Sequence, residues 1–106
     1  PSMVFGVMGG PMQPQGHLQL LDRIISHELN PQSACDAPRW QLVSEGKVIV
    51  EPAFSKTTFQ ELSNRGHNIH YENDRVLFGG AQVIQKIKGG YVGGSDSRKE
   101  GCAAGF

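Results

Sequence analysis

Apolar residues dominate the start of the chain and then recur at helical spacing. Residues 3–8 (MVFGVM) are apolar almost throughout, and this run predicts a short buried strand. From about residue 17 to residue 29 the apolar positions fall three and four apart, which predicts an amphipathic helix. Its expected buried stripe contains Leu18, Leu21 and Ile25, widened by Leu20, Ile24 and Leu29, and its polar face holds Gln19, Asp22, Arg23 and Ser26.

A second, shorter helix is predicted directly after the first. Asn30 is a good N-cap and Pro31 fits the first helical position, so together they indicate a helix start. Pro38 disfavours the helical conformation of the residue before it, and we therefore expect this helix to end near Ala37.

Two regions of the chain indicate β-structure. The stretch WQLVSEGKVIVEP predicts a hairpin with Glu45-Gly46 at its turn. Further on, AQVIQKIK predicts a strand in which Ala81, Val83 and Ile87 share one face. The expected strands lie at 40–44, 47–51, 67–72 (HNIHYE), 81–88 (AQVIQKIK) and 91–96 (YVGGSD).

A last helix is predicted between the hairpin and the later strands. Thr58, with Glu61 three residues on, forms a capping-box pattern at its start. The helix should run to about Arg65, and Gly66 suits its C′ position. These elements predict a single α+β domain over residues 1–106, with two main helices against a mostly antiparallel sheet.

Composition and charge exclude some partners and leave the compartment open. Ten basic residues balance ten acidic ones, so charge gives no indication of nucleic-acid binding. No apolar run approaches the roughly 18 residues that a membrane span requires, so no membrane contact is expected. Cys35 and Cys102 lack metal-binding spacing and are expected to be free thiols rather than a disulfide.

Glycine is the unusual component, and its first pair raises the question of function. Eight of the 14 glycines form pairs, at 9–10, 79–80, 89–90 and 93–94. Gly9-Gly10 lies between the first predicted strand and the following helix. The pair therefore either permits a sharp turn or brings backbone N–H groups close to a ligand. Gln13 and Gln15 flank this turn, and pocket contact, capping and solvent exposure all remain open for them.

Other charged and titratable residues suggest fewer sites. Arg98 suits a substrate carboxylate or an ion pair with Asp96, because the guanidinium fork matches carboxylates in both roles. Arg39 is expected to anchor the hairpin. His67 and His70 sit three apart in a predicted strand, which points their rings to opposite faces, so no metal site is expected there.

Several segments, in order, resemble one family, gamma-glutamyltranspeptidase, a group of N-terminal-nucleophile hydrolases. They cover nearly the whole chain, and their order and spacing carry the match more than any single one does. The matching stretches are GVMGGPMQPQGH, NPQSACDAPRW, GKVIVEP followed by LSNRGH, FGGAQVI and GGSDSRKEGCAAGF.

The resemblance implies an αββα sandwich, of which this chain is the C-terminal part of the small subunit. It implies cleavage of gamma-glutamyl amides such as glutathione through a threonine acyl-enzyme, without a cofactor or metal. By position, Gly9 and Gly10 would supply the oxyanion-hole N–H groups. The implied partners are the remainder of the same precursor and a small gamma-glutamyl substrate. Cut away from that precursor, the chain is expected to be inactive and to self-associate.

The chain also departs from the family pattern. The Thr-Thr-His nucleophile motif is absent, and Thr57-Thr58 lacks the histidine and fits a helix start better. Val7-Met8 replaces the common Ser-Pro before the glycine pair, and Ser97 replaces a proline. The acyl preference could therefore be that of related acylases. The alternatives are a non-catalytic α+β module that binds an anion or partner, and a purely structural segment.

Overall fold

The structure, a computed structural model, describes residues 2–105 and is built from two small sheets and three helices within that range. It confirms the predicted α+β class. None of the helices in these residues is long and apolar enough to cross a membrane. The strands are β1 (Met3–Met8), β2 (Trp40–Leu42), β3 (Lys47–Val50), β4 (Asn68–Tyr71), β5 (Gly80–Ile87) and β6 (Gly90–Ser95), and the helices are α1 (Gln13–Ile25), α2 (Pro31–Asp36) and α3 (Lys56–Asn64).

The first sheet has the order β1-β5-β6 and is antiparallel throughout. Its register places Val7 opposite Ala81 and Phe5 opposite Val83, so these side chains share the face that α1 and α2 cover. Burial of this face forms the main core, whose members are Val7, Leu20, Ile24, Ala34, Cys35, Ala81 and Val83. Ile87 was predicted to share that face, and strand alternation places it there, but it is 46% exposed because it lies at the far end of β5.

The second sheet has the order β2-β3-β4, and it contains one parallel pairing, between β3 and β4. β2 and β3 form the predicted antiparallel hairpin, with Glu45 at φ 60° and Gly46 at φ 74° in the turn. β4 pairs with β3 in parallel, because α3 carries the chain back across the sheet as a crossover. The sheet pairings are thus mostly antiparallel, with one βαβ unit that the pattern did not predict.

Helix α1 begins and ends earlier than predicted, and of the predicted stripe it buries Leu20 and Ile24 but not Leu18 and Ile25. A 3-10 turn at Gly10–Met12 runs directly into it, so the helix starts at Gln13 rather than near residue 17. Leu18 and Ile25 were predicted to be buried, but they are 62% and 68% exposed. The buried face instead centres on Gly16, where an added Cβ would lie 2.8 Å from Val7 Cγ1. Glycine thus brings α1 close to β1 along that face.

Local capping signals explain the ends of the other two helices. The Asn30 side chain accepts the Ser33 N–H at 2.8 Å, as predicted for the N-cap of α2. The prediction of Thr58 as the cap of α3 is wrong, because Ser55 accepts the Thr58 N–H at 3.2 Å and starts the helix earlier. At the other end Gly66 adopts φ 94°, which agrees with its predicted C′ role.

Two glutamines of α1 bind the free edge of β2. The Gln19 amide donates to the Trp40 carbonyl at 2.7 Å and accepts the Trp40 N–H at 3.1 Å. The Gln15 amide binds Leu42 in the same way, at 3.0 and 2.7 Å. Four residues of helix rise about 6 Å and two residues of strand about 6.8 Å, so the two spacings match. Gln19 was predicted to lie on the polar face, but this contact buries it.

The other sheet edges receive similar side-chain contacts. Gln32 of α2 binds Ser95 of β6, donating to its carbonyl at 2.8 Å and accepting its N–H at 3.0 Å. On β1, the Val7 N–H donates to His17 Nε2 at 3.1 Å. These contacts pair backbone groups of edge strands that a neighbouring strand would otherwise bind.

We expect Gln19→Met to lower the free energy of unfolding by about 1–3 kcal/mol, because it leaves both backbone groups of Trp40 without their partner. Gln13→Met, at an exposed position of the same helix, is the matched control and should change it by less than about 0.5 kcal/mol. Chemical denaturation followed by circular dichroism measures both. Equal effects of the two substitutions would contradict the role assigned to Gln19.

Candidate functional site

The Gly9-Gly10 turn lies between β1 and α1, and both residues have backbone conformations that favour glycine. Gly9 has φ 147° and Gly10 has φ 57°. A Cβ on Gly9 would lie 3.0 Å from Gly79 Cα, whereas a Cβ on Gly10 would meet nothing within 4 Å. Close packing therefore requires glycine at position 9, and backbone conformation alone favours it at position 10.

A second glycine pair lies against the first. Gly80 pairs with Met8 across the sheet, and Gly79 has φ 74°. A Cβ on Gly79 would lie 2.4 Å from the Met8 carbonyl oxygen, so only glycine fits there. The two pairs allow the backbone after β1 and the backbone before β5 to approach each other. Backbone packing thus explains part of the glycine pattern. This agrees with the first of the two interpretations of Gly9-Gly10, that glycine permits a tight backbone turn.

The N–H groups of Gly9 and Gly10 have no protein acceptor among residues 2–105. Met12 donates its N–H to the Gly9 carbonyl at 3.2 Å, which closes the 3-10 turn. Within residues 2–105, neither the Gly9 N–H nor the Gly10 N–H donates to a protein acceptor. Two adjacent donors at a strand-to-helix turn suit a small anion, because such donors are fixed in place before the anion arrives.

Arg98 lies in a buried ion network and uses all of its donors there. Nε and Nη2 donate to the Glu51 carboxylate, and Nη1 donates to Asp96 Oδ1 at 2.9 Å. The remaining two N–H groups donate to the carbonyls of Cys35 and Ala37 at 2.7 and 3.0 Å. The side chain is 2% exposed. The ion-pair alternative for Arg98 is therefore present, and this geometry leaves no N–H group for a substrate carboxylate.

Arg39 joins the same network from the start of the hairpin. Its side chain is fully buried and donates to Asp96 Oδ2 at 2.6 Å and to the Phe78 carbonyl at 2.9 Å. Its backbone N–H donates to Glu51 Oε1 at 2.8 Å. These contacts agree with the predicted role of Arg39 as the anchor of the hairpin.

The network contains two positive and two negative side chains, and the environment shifts the pKa values of Asp96, Arg39 and Arg98. Burial raises the pKa of Asp96, but N–H groups of Arg98 and Ala81 and the charge of Arg39 lower it more, so the pKa lies below its ordinary value. Burial and the charge of Arg98 lower the pKa of Arg39. Burial by itself lowers the pKa of Arg98, but the hydrogen bonds to Glu51 and Asp96 and the charges of these two carboxylates raise the pKa above its ordinary value.

For the remaining candidate residues the structure of residues 2–105 shows no contact that indicates a role in a site. Gln15 binds β2, and Gln13 is exposed. Thr57 and Thr58 stand in the first turn of α3, as the helix-start interpretation predicts. His70 contacts Asn68 at 2.6 Å. Between residues 2 and 105 no group of three or more metal-ligating side chains comes together.

The two cysteines are free and differ in their surroundings. Cys35 is buried and Cys102 is exposed. Burial, followed by the charge of Asp96, raises the pKa of the Cys35 thiol to about 11. At neutral pH Cys35 therefore remains a protonated thiol, which makes it a core residue rather than a nucleophile.

The sequence reasoning missed Glu51 and Gln19. Glu51 accepts from both arginines of the network, yet it lies in a strand-like run whose pattern gave no indication of a buried acid. The only available signal was its place at the end of the apolar run of the predicted strand 47–51, directly before Pro52. A buried carboxylate at such a place requires a positive partner, which sequence spacing alone does not identify.

The chain matches one protein family and is similar to several known proteins. The family model described as Gamma-glutamyltranspeptidase matches residues 1–106. The chain is 33% identical to the glutathione hydrolase-like YwrD proenzyme of Bacillus subtilis (strain 168), over all of this chain and 22% of that protein.

Two solved structures share the fold. The cephalosporin acylase from Bacillus halodurans is 45% identical with a TM-score of 0.92, over 96% of this chain and 19% of that one. Gamma-glutamyltranspeptidase from Pseudomonas nitroreducens complexed with L-DON is 21% identical with a TM-score of 0.85, over 99% and 55%. The chain thus has the fold of part of an N-terminal-nucleophile hydrolase, and it spans about a fifth of the YwrD proenzyme and of the acylase.

We expect Asp96→Asn to lower the free energy of unfolding at neutral pH by about 3–5 kcal/mol, because it removes one charge of a buried network. The folded-state pKa of Asp96 lies below the ordinary value of 3.8, so its contribution is complete above that pH and is lost as pH falls through the folded pKa. The gap between wild type and Asp96→Asn should therefore narrow below about pH 3.8.

Urea unfolding between neutral and acid pH measures this gap. Asp36→Asn is the matched control, because its carboxylate is exposed and contacts only Gln32 among the described residues. The control should stay within about 0.5 kcal/mol of wild type at neutral pH. A gap for Asp96→Asn that widens in acid would contradict the assignment.

Proposed function

The chain belongs to the gamma-glutamyltranspeptidase family, and we propose that it is the C-terminal segment of the small subunit of such an enzyme. In this proposal the complete protein cleaves gamma-glutamyl amides such as glutathione. The observation that carries the proposal is the Gly9-Gly10 turn, whose two N–H groups have no protein acceptor in residues 2–105. Membership of a family of amide hydrolases and transpeptidases supports the reaction class.

The proposed reaction proceeds through an acyl-enzyme. Cleavage of the precursor first leaves a threonine from the rest of the chain at a new N-terminus. Its hydroxyl oxygen attacks the amide carbon, and its free α-amine takes the proton. The carbonyl oxygen becomes negative while the new C–O bond forms. The intermediate then collapses, the C–N bond breaks, and the amine leaves with the proton. Water or an acceptor amine later attacks the ester and releases the acyl group.

Gly9 and Gly10 act at the step where charge develops on oxygen. Their N–H groups donate to the oxyanion, which is a stronger acceptor than the carbonyl oxygen of the bound substrate, so they favour the transition state. The close contact of Gly9 with Gly79 fixes the position of the turn before the substrate binds. Loss of one such donor typically costs about 3–4 kcal/mol of barrier.

The chain alone is proposed to be inactive, because the nucleophile lies elsewhere. The sequence contains no Thr-Thr-His, and Thr57-Thr58 is committed to α3. The remainder of the same precursor is therefore the partner that completes the site. The YwrD relative is itself described as a proenzyme, of which this chain matches about a fifth.

A related acylase with a different acyl preference is the second candidate. The 45% identity to a cephalosporin acylase favours it. In addition, the two residues before the glycine pair, Val7 and Met8, are apolar, and Val7 is buried against Gly16. Both candidates use the same oxyanion turn and differ only in the acyl group they accept.

The outer face of the first sheet fits a chain that belongs to a larger protein. Val4, Ile84 and Tyr91 lie on the face opposite the core, and all three are exposed. The segment after β6 covers this face only in part, with Ala103 against Gly93. We propose that the remainder of the precursor packs on this face in the complete sandwich.

In the mature product of the complete gene we expect Gly10→Ala to lower kcat by about 10²–10³-fold, because an alanine is driven out of this positive-φ conformation and its N–H turns away. Gly46→Ala is a matched control, since Gly46 also has positive φ and a Cβ there also meets nothing within 4 Å. Both should lose similar stability, about 1–2 kcal/mol, and only Gly10→Ala should lose activity. Steady-state kinetics with gamma-glutamyl-p-nitroanilide tests this, and equal kcat values would refute the oxyanion role.

The isolated 106-residue chain should self-associate through the outer face of the first sheet, because that face exposes apolar side chains. Ile84→Lys should reduce the association, as its side chain lies at the centre of the face. Val76→Lys, at an exposed position outside both sheets, should leave it unchanged. Multi-angle light scattering over a concentration series measures the mass, and a monomer throughout would count against the proposal.

A further inference from the structure

A cavity of about 450 Å³ lies on the second sheet, away from the glycine turn. Its apolar walls come from the hairpin, from β4, and from α3 and the segment before it. Arg23 and His67 are the titratable residues among its lining, and no acidic side chain lines it. The apolar wall residues are Trp40, Val48, Val50, Phe54, Leu62 and Ile69.

The cavity exists because two helices leave part of one sheet face uncovered. Trp40 pairs with Val50, and Val48 pairs with Ile69, so these side chains share that face. Helix α3 covers the far end, where Phe59 stacks on Tyr71 with ring centroids 4.4 Å apart. Helix α1 is held at the β2 edge by its glutamines, so it reaches the cavity only through Arg23.

Arg23 gives this apolar cavity a positive end. Its guanidinium donates to the Ala37 carbonyl at 3.3 Å and to the Pro38 carbonyl, and it has no other hydrogen-bond acceptor in residues 2–105. Burial and the charges of Arg39 and Arg98 lower its pKa to about 10, so it is cationic at neutral pH. Both of its acceptors are neutral carbonyls, which leaves the positive charge without a direct counter-ion.

We infer that the cavity binds a small amphipathic carboxylate, with the carboxylate on Arg23 and an apolar body against the sheet. The volume lies in the range of small-molecule pockets, about 300–1,000 Å³. An apolar wall that carries a guanidinium group and no acidic group favours a hydrophobic ligand with one anionic group. The inference is independent of the proposed reaction, because neither glycine of the turn lines the cavity.

Isothermal titration calorimetry on the mature product of the complete gene tests the inference, with 4-phenylbutyrate and neutral 4-phenylbutanol as probes. The acid should bind at least about tenfold more tightly than the alcohol, because only the acid forms a charge-assisted bond with Arg23. Arg23→Gln should remove this preference and leave alcohol binding in place. Arg75→Gln, an exposed arginine outside the cavity, should change neither affinity.

Two filling substitutions, Leu62→Trp and Val48→Phe, should each weaken both probes, so the test does not depend on either variant folding. Equal affinity of wild type for acid and alcohol would overturn the inference, as would full binding in a folded filling variant. Binding to the isolated 106-residue chain but not to the complete product would also overturn it, since another segment of the precursor would then occupy the cavity.

Discussion

Four buried charges hold the two sheets of this small protein together. Arg39 stands before β2, Glu51 follows β3, and Asp96 and Arg98 follow β6, so the network joins strand ends from both sheets. Two arginines and two carboxylates balance one another, and backbone carbonyls and N–H groups take most of the remaining bonding capacity. Such a network strongly resists the loss of any one member, because a single unpaired charge in the interior is costly.

The same network is connected to the glycine turn through the residues before β5. Arg39 binds the Phe78 carbonyl, and the next residue, Gly79, lies against the Met8 carbonyl at the end of β1. Gly9 in turn contacts Gly79. A continuous set of contacts therefore runs from the buried charges to the proposed oxyanion donors. A turn fixed in this way can hold its N–H groups ready before charge develops, which is the condition for electrostatic catalysis.

Sequence reasoning predicted the features that local chemistry determines. The Asn30 cap, the hairpin turn and the end of α3 at Gly66 follow from single residues and their neighbours, and the ordered motifs identified the family. The buried face of α1 was predicted only in part: Leu20 and Ile24 are buried as expected, but close approach at Gly16 turns Leu18 and Ile25 towards the exposed side. Glu51 and Gln19 were missed because their partners lie 47 and 21 residues away, and no local periodicity records such pairings. Family resemblance drew attention to the glycine turn, and the sequence offered the Arg98–Asp96 ion pair as one alternative. Neither indicated that Glu51 and Arg39 join that pair in one network.

The glutamine contacts between α1 and β2 recognise only main-chain atoms of the strand. A primary amide offers one donor arm and one acceptor arm, so it satisfies a peptide unit whatever side chain that unit carries. The joint is accordingly indifferent to the residue types at positions 40 and 42. Side-chain substitutions at these two positions of β2 therefore leave the hydrogen bonds to α1 in place. The residues that must be kept for these contacts are the two glutamines, Gln15 and Gln19.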